Sequence, residues 1–344
     1  MKISRLVSRI VFFAIITGPT LSPLLASAAH ADENNSRVGT RNFAFLKRDI
    51  GARAVGLGGA FTGLADDETA LFYNPAGIAN LSGKRLIAGY QNFVAGINTG
   101  FFGYIHPLNG DDPTDETGQR VGVFLNYINY GTFVRTNALG EEQGTFGGSS
   151  FAFGLHYSRK LTRKLQVGVN GKVLYANLDS FTSTGAAADI GLRYTIRERT
   201  DELKHRGFGS IGFTAQNLGG TLSAFTTTAD KEPLPIVFRL GAAGRPRGTP
   251  VTLSADAIKP VDNDFYFAVG AEYDDIDKLA FRVGWSSFGE NFKTVADNSS
   301  VAGFSFGIGF KLEKYEVGYS FTPMNDLGES HRITISHNFN PLFY

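Results

Sequence analysis

From Leu86 to the end of the chain, hydrophobic residues recur at every second position, with small, polar or charged residues between them. A period of two puts alternate side chains on opposite faces of a β-strand. Val121, Val123, Leu125 and Tyr127 form one such row; Phe151, Phe153, Leu155 and Tyr157 form another, and Val167, Val169, Val173 and Tyr175 a third. Ile190, Leu192, Tyr194 and Ile196 alternate with Gly191, Arg193, Thr195 and Arg197. Toward the C-terminus Leu279, Phe281, Val283 and Trp285 alternate with Ala280, Arg282, Gly284 and Ser286, and the pattern runs on through Phe304–Leu312, Tyr315–Phe321 and Ile333–Phe339. These runs predict about fourteen strands, near 86–94, 97–106, 120–130, 150–159, 164–178, 186–197, 208–217, 235–243, 250–258, 264–273, 278–286, 301–312, 314–322 and 331–339.

One long stretch between the leader and the strands reads differently. Residues 51–81, GARAVGLGGAFTGLADDETALFYNPAGIANL, carry a cluster of glycines that permit tight turns and close backbone approach, with Ala54, Val55, Leu57, Phe61, Leu64, Leu71 and Phe72 supplying apolar contacts. Asp67 is placed to cap a short helix running through Tyr73. Asn74 ends it, because the residue before proline is driven out of helical geometry, and Pro75 takes the first position of a second short helix. Such a segment packs inside something, and residues 82–344 supply the container.

The opposite faces of the strands say which container. One face is rich in Phe and Tyr, while the other carries charges in mid-strand: Lys172, Arg193, Arg239, Asp256, Glu272, Arg282, Lys311 and Arg332. A soluble sandwich would turn its apolar face to a core; a membrane barrel turns that face to lipid and the charged face to its lumen. Charges of both signs suit a lumen in which they pair with one another or with an inner segment. The fold expected is therefore a transmembrane antiparallel β-barrel with a short helical and looped plug at 51–81. An even strand count puts both barrel ends on the periplasmic side, with 131–149, 218–234, 287–300 and 323–330 as outer connections.

Composition supports this and narrows the compartment. Gly at 42 and Phe at 30 of 344 residues fit curved strands and a lipid-facing surface, and no apolar run after the leader is long enough for a spanning helix. A net charge of +1 offers no field for nucleic acid. Lys2, Arg5 and Arg9 precede an apolar run broken by Gly18, Pro19 and Pro23, and Ala29-His30-Ala31 forms a small-x-small site, so residues 1–31 read as a signal peptide and 32–50 as a lead-in. The absence of cysteine excludes disulfides and a lipid-modified N-terminus. Phe343 and Tyr344 supply a terminal aromatic of the kind used in outer-membrane targeting, and the expected location is the bacterial outer membrane, with its lipid as the first partner.

The GARAVGLGGAF opening, the Ala65-Asp66-Asp67 acidic turn and the closing Asn74-Pro75-Ala76-Gly77 resemble the start of PorV/PorQ-type proteins, relatives of the FadL long-chain fatty-acid transporters. The resemblance implies that 51–81 is an N-terminal hatch, with Asn74, Pro75, Ala76, Gly77, Gly58, Gly59, Asp66 and Asp67 as its ligand and hatch residues. Its FadL side implies passage of a hydrophobic or amphipathic small molecule. Its PorV side implies a barrel that receives secreted cargo proteins for a type IX secretion system.

Enzyme chemistry finds weaker support in the sequence. Gly303-Phe304-Ser305-Phe306-Gly307 matches G-x-S-x-G, but a nucleophile elbow needs a strand, a strained turn and a helix, whereas Ser305 lies inside a period-two run; His156 and His331 are its only partners of note. Gly56-Leu57-Gly58-Gly59 is too short for a phosphate loop. Asp66, Asp67 and Glu68 offer carboxylates for a cation, for helix capping, or for pairing with lumenal Arg193 or Arg282. No enzyme, metal site or cofactor is expected. Phe225, Phe288, Phe292 and Val295 place apolar side chains in outer connections, either to catch a ligand or to anchor the loops.

Overall fold

A computed structural model describes residues 39–109, 117–197, 207–226, 231–292 and 301–339. The expected signal peptide, residues 32–38 of the lead-in, Val295 and the terminal aromatics lie outside the described residues, and no helix among those described is long and apolar enough to cross a membrane.

Among the described residues fourteen antiparallel strands close into a barrel. They are β1 (Arg85–Asn92), β2 (Asn98–Pro107), β3 (Arg120–Thr136), β4 (Glu142–Lys160), β5 (Leu165–Leu178), β6 (Phe181–Arg197), β7 (Phe208–Ser223), β8 (Val237–Arg245), β9 (Val251–Pro260), β10 (Tyr266–Ile276), β11 (Leu279–Ser286), β12 (Phe304–Leu312), β13 (Tyr315–Pro323) and β14 (Glu329–Asn338). Each strand pairs with its sequence neighbour, and β1 closes on β14 with Arg85 opposite Asn338. The soluble sandwich is thereby excluded. Both barrel termini lie at one end, here the near end, and the connections after β1, β3, β5 and the later odd strands lie at the far end.

The two faces sort as the alternation requires. Leu155, Val169, Val173, Ile190, Leu192, Phe281, Phe306 and Ile333 stand exposed on the outside, while Lys172, Arg193, Arg239, Asp256, Glu272, Arg282 and Arg332 are buried inside. Apolar side chains standing outward around a closed wall are stable only against lipid, because in water they would form a continuous sticky surface. Lys311 departs from the expectation: it is exposed at the near end of β12, opposite Glu316, rather than buried in mid-wall.

Residues 131–149, expected as a loop, form a ribbon. β3 runs to Thr136 and β4 begins at Glu142, so the pair continues past Asn129, the last β3 residue paired with β2. Similarly β6 starts at Phe181 and β7 ends at Ser223. Strand pairing persists there without period-two patterning, because the lipid that enforces an apolar outer face no longer flanks these stretches.

The inner segment begins earlier than expected. A 3-10 helix at Ala44–Lys47 follows Phe43, and both Phe43 and Phe45 are buried against Ile128, Leu174 and Leu234 of the barrel and its connections. Lumen filling therefore starts about eight residues before Gly51. Two one-turn helices, Ala52–Gly56 and Ala70–Tyr73, and a 3-10 helix, Pro75–Asn80, make up the rest.

Candidate functional site

The inner segment lies directly on the barrel wall because inward wall positions facing it are glycine. An added Cβ at Gly284 would stand 2.0 Å from Gly58 N, and one at Gly212 would stand 2.2 Å from Thr62 O. The glycines come in cross-strand pairs, Gly168 with Gly191, Gly212 with Gly241 and Gly270 with Gly284, and these pairs face the Asn74–Ala76, Thr62–Gly63 and Leu57–Gly58 stretches respectively.

Short turns leave many backbone groups without intrahelical partners, and buried ones must find others. Wall side chains provide them. Asp256 accepts from the Phe61 and Thr62 amides at 3.1 and 2.9 Å, Thr334 accepts from Ala52 N, and Ser305 Oγ accepts from Gly58 N at 3.1 Å. In the other sense Ser210 donates to Gly63 O, Gln216 to Phe72 O and Asn170 to Leu71 O. Much of the polar lumen is thus the complement of the inner backbone.

The expected site residues separate into three groups. Asn74 is fully buried in extended conformation, as the Asn-Pro corner requires; its Oδ1 accepts from Ala76 N, and its Nδ2 donates to Thr62 O and to Leu192 O of β6. Pro75 opens the 3-10 helix, Ala76 is fully buried in it, and a Cβ on Gly77 would strike Ala65 O at 2.0 Å. Gly58 and Gly59 both have positive φ, at 70° and 82°. Neither they nor the Asn74–Gly77 corner is brought together with Asp66 and Asp67, which face the near end.

There Arg53, from the inner segment itself, binds Asp66 at 2.6 Å, Asp67 at 2.9 Å and Glu272 of β10 at 2.8 Å. Arg282 joins through Glu272 at 2.7 Å, and Glu68 pairs with Arg85 of β1 at 3.0 Å. This acidic run thus pairs with Arg53 and Arg85, a pairing invisible without the tertiary path, while Arg193 lines the same basin as Asp66 and Arg282 joins through Glu272. Asp67 does not cap the Ala70–Tyr73 helix as expected: the N-cap is Thr69, without a side-chain capping bond, and Asp67 accepts from Thr69 N at 2.8 Å in the turn that leads into it. Burial drives the Asp67 carboxyl up despite Arg53, and drives Glu68 up to about 7 despite Arg85. Burial opposes the charge on Arg53, but Asp66 and Glu272 hold its guanidinium well above the ordinary value. Below this cluster lies a polar basin of about 650 Å³ lined by Arg53, Asp66, Asp67, Lys160, Arg193 and Lys311, among others.

A different cavity opens at the far end. It measures about 270 Å³ and is walled by Ala44, Val55, Phe93, Tyr266, Phe288 and Met324. Three cationic side chains, Lys47, Arg48 and Arg332, and one carboxylate, Asp49, line it. Arg48 stacks 3.7 Å over the Phe93 ring, and Arg332 donates to Thr322 Oγ1 at 3.0 Å while its buried Nε has no hydrogen-bond partner. Burial, together with the charge of Arg332, lowers Arg48 to about 10. Lys47 at the rim is tied to Asp262 at 2.5 Å. Sequence reasoning placed Arg332 in the lumen without linking it to a cavity and missed Arg48 and Tyr266; Phe288, expected either to catch a ligand or to anchor its loop, lines the cavity and packs against Tyr266. Phe225 instead packs on the Phe43 cluster as a loop anchor. Past Arg48 a crevice of about 30 Å³ continues between Leu46, Ile50, Leu71, Phe72 and Phe124.

The serine-hydrolase motif is not assembled around Ser305. Ser305 faces the lumen and holds Gly58 N, His331 bonds Tyr319 and Glu329, and His156 bonds Asn170 and Ser158 on β4 and β5. Among the described residues no group of three or more His, Cys, Asp or Glu is arranged to hold a metal ion.

No family model and no curated protein matches the chain. Solved structures do. The toluene transporter TbuX of Ralstonia pickettii superposes with a TM-score of 0.60 at 11% identity, over 86% of this chain and 100% of that one. A TodX monoaromatic hydrocarbon channel lacking S2 and S3 superposes with a TM-score of 0.55 at 14% identity, over 84% and 99%. A second TodX mutant, lacking S2, gives 0.55 at 13% identity over 85% and 99%. At such identities the likeness concerns architecture, and the chain has the fold of the FadL-like outer-membrane barrels.

Proposed function

We propose that this chain is a bacterial outer-membrane barrel that binds hydrophobic or amphipathic small molecules at its extracellular end and passes them inward, with residues 42–81 as a hatch. On this reading the near end is periplasmic and the far end extracellular, because barrels of even strand number begin and end on the periplasmic side. The observation that carries it is the far-end cavity. An apolar cavity of about 150 Å³ suffices for benzene, so about 270 Å³ accommodates a substituted aromatic ring or a folded short acyl chain. The structural neighbours named for toluene and monoaromatic hydrocarbons support the same ligand class. Arg48 and Arg332 add a place for an anionic head group, since Asp49, the one carboxylate lining the cavity, is paired with Arg239.

A second reading draws on the charge-closed near end. There Arg53, Glu272 and Arg282 leave no apolar continuation, as a PorV-type barrel receiving secreted cargo proteins for type IX secretion would require. It needs large outer docking loops: the far-end connections 93–97, 137–141, 179–180, 261–265 and 324–328 are short, and only the stretches between β7 and β8 and between β11 and β12 are long enough to serve.

The two readings separate by fluorine NMR of the detergent-solubilised protein with 4-fluorotoluene and 4-fluorobenzoate. The transport reading expects saturable binding of both, abolished by Ala44→Trp, with Arg48→Gln and Arg332→Gln weakening 4-fluorobenzoate alone. Absence of saturable binding by either probe removes the cavity from function and leaves the docking role.

A further inference from the structure

The lumenal face of the β4–β5 hairpin carries a hydrogen-bonded relay. Ser158 Oγ lies 3.0 Å from His156 Nε2, and His156 Nδ1 lies 2.8 Å from Asn170 Oδ1. The surroundings fix the tautomer. Asn170 Nδ2 donates to Leu71 O at 2.9 Å and to Asp189 Oδ2 at 3.0 Å, so Oδ1 is the atom facing the imidazole, and it can only accept. His156 Nδ1 therefore carries the proton, and Nε2 presents its lone pair to the Ser158 hydroxyl. Asp189 is itself held by Lys172 at 2.6 Å and by the Asn217 amide at 2.8 Å. A hydroxyl, a base within reach and a group that orients the base are the parts of an activated serine, on whatever fold they occur.

Strand geometry builds this arrangement from three residues. His156 and Ser158 are two apart on β4, and Asn170 lies directly opposite His156 on β5. A fourth residue stands beside them. Gln166 follows the same face of β5, two residues from Gly168, the partner of Ser158. It is fully buried; its Oε1 accepts from Thr195 Oγ1 at 3.2 Å, and its Nε2 has no hydrogen-bond partner. A buried donor left unsatisfied is costly, and an amide donor set diagonally across the strand pair from a nucleophile suits a developing oxyanion.

We propose that Ser158, His156, Asn170 and Gln166 form a latent serine esterase site, closed by the 3-10 helix Pro75–Asn80. Ser158 Oγ attacks the ester carbonyl carbon while its proton passes to His156 Nε2, and Gln166 Nε2 meets the negative oxygen. The intermediate collapses, the alkoxide leaves with the proton from His156, and the acyl group stays on Ser158. Water, deprotonated by His156, repeats the sequence and releases the acid. Closure is tight: Ser158 has no exposure, and a Cβ on the opposing Gly168 would lie 2.3 Å from the Pro75 carbonyl carbon. Opening requires that the 3-10 helix lift. The polar basin, lined by Asn80 at the end of the cover, by Leu81 just after it and by Lys160, two residues beyond Ser158, is the space from which an ester enters. The site is independent of the far-end cavity and shares no residue with it.

The test uses the full chain in detergent, a fluorophosphonate probe, and urea raised in steps below barrel unfolding, with peptide mass spectrometry of the product. Because the chain has no cysteine, alkylation of an Ala79→Cys variant reports lifting of the helix. Ser158 is expected to be phosphonylated in step with that alkylation and to stay unlabelled in His156→Ala. Gln166→Leu is expected to lower hydrolysis of p-nitrophenyl butyrate by roughly 10²-fold with the alkylation profile unchanged. Alkylation without phosphonylation overturns the proposal, and so does alkylation that appears only when the barrel unfolds. Binding of the fluorinated probes at the far end uses none of these residues, so failure here leaves the transport reading standing.

Discussion

Replacing Gly284 by alanine tests how the inner segment is held. The new methyl would sit 2.0 Å from Gly58 N and 2.2 Å from Leu57 C, both backbone atoms that cannot rotate aside. Carbon contacts are comfortable at about 3.5–4.0 Å, so the segment must retreat by roughly 1.5 Å. Retreat breaks the 3.1 Å bond from Gly58 N to Ser305 Oγ. Orphaning a buried amide costs about 1–3 kcal/mol, and overpacking adds about 1–3 kcal/mol, giving roughly 2–6 kcal/mol against docking. The wall does not share the loss, since alanine is a better strand residue than glycine by about 0.5–1 kcal/mol. Hydrogen exchange followed by mass spectrometry reads the difference. In the Gly284→Ala protein the amides of residues 51–64 should exchange at least about 30-fold faster, at 1.4 kcal/mol per decade, while β10–β12 stay protected. Gly171→Ala, which meets nothing within 4 Å, is the control and should leave both unchanged. Unaltered exchange at 51–64 in Gly284→Ala would refute the argument that bare wall backbone seats the segment.

Three further perturbations follow from the same contacts. Asn74→Ala removes one acceptor and two donor bonds at the Asn-Pro corner and should loosen residues 62–80 by about 2–4 kcal/mol, read by the same exchange experiment. Glu68, raised to about 7 by burial, binds its proton more tightly when docked than when free, so its contribution is complete below the ordinary carboxylate range and is lost as pH rises through about 7. Protection of residues 65–81, taken relative to the intrinsic base-catalysed exchange rate, should therefore fall between pH 5 and 8, and Glu68→Gln should flatten that fall. On the outside, Val173→Arg should cost about 2–4 kcal/mol in bilayer refolding titrations, whereas a barrel surface facing water would tolerate it.

Much of this architecture was legible in the sequence because lipid imposes a strict code. Every strand was located, and the inward charges Lys172, Arg193, Arg239, Asp256, Glu272, Arg282 and Arg332 were sorted to the lumen by their place between apolar neighbours. Where lipid ends, so does the code: residues 131–149 pair as a ribbon with neither face apolar throughout, and Lys311 sits at a strand end where the rule relaxes. The Asn74-Pro75 corner was legible from local sterics alone. The partners of Asp66, Asp67 and Glu68 were not, because Arg53 reaches Asp66 only once the segment has folded back within the lumen. Nor were Arg48 and Arg332, which lie far apart in the chain and share a cavity only through closure of the barrel. His156 was noticed only as a possible partner of Ser305: His156 and Ser158 share a face by strand period, yet Asn170 joins them only through the β4–β5 register.

The central claim is that the lumen holds an inner segment and, between it and the wall, a cavity for an apolar small molecule. Native mass spectrometry of the full chain released from detergent, beside the Ala44→Trp variant, addresses it most directly. The account predicts a small-molecule adduct on the native protein that is extractable into organic solvent and absent from the variant. A native protein as free of small-molecule adducts as the variant, or adducts consisting only of other proteins, would contradict it.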